Sequence, residues 1–152
     1  MTKLLLILMV VGVWSGCGKD IKVWKEEYSK NKTKEEYQYY HHPETNRRIR
    51  DGWYNSYFPD GKYWEIGTYK DNERHGEWIY FTVWGGRERK GIWKDGKEWS
   101  GEFVRYYESG REQGVSGYVD GKPQGSWVLY DSEGYIRKKI CYELGEEVNC
   151  PY

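Results

Sequence analysis

The sequence predicts an all-β protein: a single-layer antiparallel β-meander of about four 24-residue hairpin repeats, with an N-terminal capping hairpin. Three observations carry that expectation. The first is the inventory: the 152 residues include 16 Tyr, 9 Trp and 19 Gly, and no Ala. From Cys17 onward 27 aromatics stand beside only 16 Val, Ile and Leu, a stock that suits strands and tight turns and not helices. The second is a period, since Gly52, Gly76, Gly101 and Gly125 lie 24, 25 and 24 residues apart. The third is that whole columns of residues share this period.

Two positions after each glycine stands a ring: Tyr54, Trp78, Phe103 and Trp127. Five positions on stands another, Tyr57, Phe81, Tyr106 and Tyr130, and nine positions on a turn glycine, Gly61, Gly85, Gly110 and Gly134. A third ring follows at seventeen: Tyr69, Trp93, Tyr118 and Tyr142. Each unit thus reads as a strand opening at the glycine, a turn, and a second strand closing on the third ring. The links are Asp71-Asn72, Asp95-Gly96, Asp120-Gly121 and Leu144-Gly145, mostly residues that accept the positive φ of two-residue hairpin turns. The extra residue of the 25-residue interval is expected in the turn between Gly96 and Gly101, where insertions cost least. Because side chains alternate along a strand, the rings at two and five should form two ladders, one per face. Tyr54, Trp78, Phe103 and Trp127 are then a structural ladder, with Gly67 and Gly91 leaving room for a ring from the next strand. Truncation is expected to cost most at Phe103, with partners on both sides, and less at Tyr54, near the degenerate end.

Ahead of the repeats at residues 52–145, residues 36–51 read as strand, turn and strand, the capping hairpin. Residues 17–35, rich in Lys and Glu, read as a tether, with Val23, Trp24 and Tyr28 able to dock; residues 146–152 form a tail. Residues 1–16 read as a signal peptide. Lys3 precedes an apolar run from Leu4 to Val13 that is too short to span a bilayer. It leads into Ser15-Gly16-Cys17, which resembles the lipobox of bacterial lipoproteins. The resemblance implies lipid attachment at Cys17 and export to a membrane, the outer one in a Gram-negative host because Gly18 follows. An ordinary secretory signal with nearby cleavage is the alternative. Once Cys17 is assigned, Cys141 and Cys150 remain, a candidate disulfide outside the cytoplasm.

The pattern of Gly76-Glu77-Trp78-Ile79-Tyr80-Phe81 and of Asp120-Gly121-Lys122-Pro123-Gln124-Gly125-Ser126-Trp127 resembles the MORN repeat, in the bacterial variant found in exported and antitoxin-like proteins. That resemblance implies an elongated scaffold or interaction surface, with no shared catalytic residues. The residues point the same way. Lys+Arg and Asp+Glu are 24 each, which argues against a nucleic-acid partner. His41, His42 and His75 have no ligand or acid partner at metal-site spacing, so neither an enzyme, a metal nor a cofactor is expected. Two functions fit. One is a membrane-anchored scaffold for protein–protein interaction. The other is a glycan or cell-wall polymer binder using the off-column rings Trp64, Trp84 and Trp99: clustering on one exposed face would favour glycan, and scattering would favour the scaffold.

Overall fold

The computed structural model describes residues 18–82 and 89–151. Cys17, the turn glycine Gly85 and Trp84 fall outside the described residues. The strands are β1 (Lys22–Ser29), β2 (Lys32–His41), β3 (Arg48–Tyr57), β4 (Tyr63–Lys70), β5 (Glu73–Tyr80), β6 (Arg89–Lys94), β7 (Lys97–Tyr106), β8 (Glu112–Val119), β9 (Lys122–Pro123), β10 (Gly125–Tyr130), β11 (Ile136–Glu143) and β12 (Glu146–Val148). They form one open antiparallel sheet in chain order, with two-residue β9 pairing only with β8. This is the all-β single-layer meander that the period predicts.

The linking turns follow from their residues. Asp71 and Asn72, Asp95 and Gly96, Asp120 and Gly121, and Leu144 and Gly145 all have positive φ, between 49° and 96°, the conformation a tight hairpin needs at both central residues. All four lie on one long edge of the sheet. The turns that close β3 onto β4, β7 onto β8 and β10 onto β11 lie on the other.

Four details depart from the sequence reading. Strands begin ahead of the repeat glycine: β3 opens at Arg48, β5 at Glu73 and β7 at Lys97. The glycines sit instead at or beside breaks in register, with φ of 111° at Gly52, 68° at Gly76, 105° at Gly101 and 74° at Gly125. Next, the extra residue of the 25-residue interval is not in the turn. Ile92 faces Ser100 and Trp93 faces Glu98, so Trp99 is the residue squeezed out, a bulge within β7.

The N-terminal segment is the third difference. Residues 22–29 form β1, paired along its length with β2, so the hairpin that caps the array is β1–β2 and a tether is confined to the residues before it. The strand, turn and strand read at 36–51 exist, but their second strand is already the first strand of the first repeat. Tyr54 is consequently internal, not terminal, and is 8% exposed. Lastly, the rings at +5 do not stack into a second ladder among the described residues. Tyr57 and Phe81 meet through Tyr63, at 5.0 and 6.1 Å, while Tyr106 meets Trp64 edge to face, at 87°.

Candidate functional site: the ring face and its grooves

The ladder at +2 forms and is the core of the molecule. Tyr54, Trp78 and Phe103 are buried; Trp127, nearer the C-terminal edge, is half-buried. Register explains why. Tyr54 faces Gly67 and Trp78 faces Gly91 across their strand pairs, and a Cβ on Gly67 would overlap the Trp78 ring, as one on Gly91 would overlap Phe103. A ring at +2 thus lies across the +15 residue of the preceding unit. Two tryptophans add a polar anchor: Trp78 Nε1 donates to the Thr68 carbonyl at 3.1 Å and Trp127 Nε1 to that of Gly117 at 2.9 Å. Those acceptors occupy the same place in the first and third units.

Rings at +17 fill the gaps. From the capping hairpin the spine runs Tyr37, Tyr54, Tyr69, Trp78, with centroids 6.2, 5.4 and 5.2 Å apart. It resumes as Trp93, Phe103, Tyr118, Trp127, Tyr142, at 5.4, 5.7, 5.1 and 4.8 Å. Trp78 against Tyr69 and Phe103 against Trp93 meet edge to face, at 90° and 88°, the arrangement favoured by the ring quadrupole. Between Trp78 and Trp93 the Arg74 guanidinium lies over both rings, 3.8 and 5.1 Å from their centroids. Arg50, at the equivalent place one unit earlier, lies 4.4 Å from Tyr37 and 5.3 Å from Tyr69. The sequence reading missed both arginines, although both stand two residues before a repeat glycine.

Each arginine is held by a carboxylate: Glu35 is 3.3 Å from Arg50 and Glu65 2.8 Å from Arg74. Burial pushes the Glu65 carboxyl above the ordinary range, with Arg74 opposing it. Burial also raises Tyr54, helped by Glu35, and pushes Tyr80 up to about 12. Glu35, Glu65, Arg74, Tyr54 and Tyr80, with Trp64, Trp93 and Tyr106, line a cleft of about 540 Å³.

Trp64 enters that cleft because of a second recurring bulge. Ser56 faces Glu65 and Tyr57 faces Tyr63, leaving Trp64 unpaired. The same slip leaves out Gln113 between β7 and β8, and Arg137 between β10 and β11. All three stand twelve residues after their repeat glycine. A bulge re-aims its side chain, and this column carries a different residue in each of the three units. The Trp64 ring stacks on Phe58 at 4.9 Å, and its Nε1 is buried with no hydrogen-bond partner among the described residues.

Trp64 and Trp99 are not brought together. Trp64 is the second residue of β4, just past a turn on one long edge. Trp99 is the third residue of β7, just past a turn on the other, where Lys94 lies 4.2 Å from its ring and the Gly121 N–H donates to its carbonyl at 2.7 Å. Cys141 and Cys150 form a disulfide, with Cα atoms 5.1 Å apart. Such bridges persist in oxidising compartments, the coarse location that the cysteine count implies. Among the described residues no group of three or more His, Cys, Asp or Glu is placed to hold a metal ion. Comparison of the chain with protein-family models, with curated proteins and with solved structures yields no match.

Proposed function

We propose that the chain is a membrane-anchored, extracytoplasmic repeat scaffold of the MORN-like kind that mediates protein–protein interaction. The observation that carries this reading is the division of labour between columns. Rings at +2 and +17 hold the sheet together, while the +12 bulge sets Trp64, Gln113 and Arg137 at the same place in the first, third and fourth units, free to differ from unit to unit. Anchoring rests on the lipobox-like Ser15-Gly16-Cys17, and an oxidising compartment on the Cys141–Cys150 bridge. Crosslinking in intact cells, followed by mass spectrometry, tests the reading: a reproducible protein partner is expected, and its absence would reject the scaffold.

Glycan binding is the second reading, and one observation favours it: Trp64 lines the 540 Å³ cleft together with Glu35, Glu65 and Arg74. Against it stand the separation of Trp64 from Trp99 and the stacking of Trp64 on Phe58. Retention on cell-wall polymer, lost in Trp64→Ala, would restore it.

A further inference from the structure

The grooves of the sheet differ in the charged side chains that line them. In the central cleft every lining arginine has a carboxylate partner, Arg74 with Glu65 and Arg105 with Glu98. Beyond Arg105 the balance changes. A groove of about 390 Å³ runs between Arg105, Gln113, Leu129, Arg137 and Lys138, and a smaller one of about 230 Å³ continues it past Trp127 and Ile140. The two share Arg105, Leu129 and Lys138, so they form one trough across β7, β8, β10 and β11. Three cations line it, Arg105 among them held by Glu98, and among the described residues no carboxylate does.

Arg137 and Lys138 are exposed and carry no ion pair to a described residue. The floor between them is apolar: Leu129 is 48% exposed, and Trp127 and Ile140 are half-buried. Gln113 and Arg137 are the +12 bulge residues of these two units, so the trough lies where the bulges re-aim side chains.

We infer that this trough is a docking site for an acidic segment of a partner protein, an extended stretch that alternates Asp or Glu with apolar side chains. The inference rests on the scaffold reading and deepens it by stating the partner's chemistry. Unpaired cations of one sign select an anion. An apolar floor adds a requirement that a phosphate polymer does not meet, whereas a peptide brings carboxylates and apolar side chains together. Four neighbouring strands span about 14 Å, the reach of about four extended residues.

The full chain in detergent, titrated with a fluorescein-labelled peptide alternating Asp and Leu, tests this by anisotropy. Saturable binding that weakens at least tenfold in an Arg137→Glu, Lys138→Glu double variant is expected, with binding unchanged in Lys62→Glu, an exposed lysine far from the trough. Both trough side chains are exposed, so the double variant should keep the wild-type circular dichroism. Linear polyphosphate binding as tightly as the peptide would overturn the inference, because charge alone would then suffice. So would equal binding by the double variant, or none at millimolar peptide. In-cell crosslinking with the same variant separates the two readings. A partner captured equally by wild type and variant removes the trough and leaves the scaffold; no partner with either removes the scaffold.

Discussion

Truncating Phe103 should remove a large part of the stability of the array. Its ring is 1% exposed and meets Trp93, Tyr118 and Tyr80 at 5.4, 5.7 and 6.3 Å. Beneath it is Gly91, where an added Cβ would meet the ring. A void left by Phe103→Ala is therefore floored by a residue with no side chain to collapse into it, which places the cost at the upper end of about 3–5 kcal/mol for a buried Phe. Lost edge-to-face pairs act in the same direction, at about 0.5–1.5 kcal/mol each. With a urea slope of about 2 kcal/mol/M, a loss of about 4 kcal/mol lowers the midpoint by about 2 M. Tyr54→Ala should cost a comparable amount, because β1 and β2 make Tyr54 internal; half-buried Trp127→Ala should cost less. Gly91→Ala should also destabilise, by overlapping the Phe103 ring, but should be nearly neutral in the Phe103→Ala background, where the ring is gone. Urea midpoints for these variants decide the matter. A loss below about 1.5 kcal/mol at Phe103, or an unchanged cost for Gly91→Ala once Phe103 is truncated, would refute the packing argument.

Alkali should unfold the chain. Tyr54 and Tyr80 have folded pKa values raised above the ordinary 10, so their stabilisation is complete below pH 10 and is lost as pH rises towards 12. Each takes away about 1.4 kcal/mol per pH unit in that window; a flat urea midpoint between pH 9 and 11 would contradict their burial. Alkylation without reductant should label neither Cys141 nor Cys150, and reduction should lower stability by about 2–3 kcal/mol for so short a loop. Full labelling of both would remove the bridge. If Cys17 carries lipid, the protein should partition into detergent and Cys17→Ser should release it or leave it uncleaved; unchanged fractionation and an unmodified N-terminal mass would reject the anchor.

The repeat was legible because its columns obey one rule, with each hairpin pairing the repeat glycine with the ring seventeen residues on, as Gly52 pairs with Tyr69 and Gly101 with Tyr118. Turn chemistry and the glycines beneath the rings followed from residue type alone. The bulges did not. A residue squeezed out of register leaves the period of the columns intact, so Trp64 looked like a ring without a place, and Trp99 like an insertion in a turn. A continuous ladder of +5 rings was interrupted for the same reason, since the slip at +12 falls beside the strand pair of the +5 ring. Lysine and glutamate disguised β1 as a tether: on an edge strand, paired on one side only, charged side chains remain in water and leave no apolar alternation to read. Arg50 and Arg74 escaped notice because arginine in a strand signals solvent, whereas here it lies between rings.

An open meander has no intrinsic reason to stop. Each added hairpin would find the same ledge of unpaired backbone, and so would a second molecule arriving end to end. At the C-terminal border of the described sheet that ledge is blunted. β12 is three exposed residues, Glu146, Glu147 and Val148, followed after Asn149 by the half-cystine that fastens the segment back to β11 and then by Pro151, which has no N–H to offer. A short, acidic, covalently pinned hem presents almost nothing for a further strand to copy. The bridge thus bears on association as well as on stability: it helps leave this border a poor template for another strand.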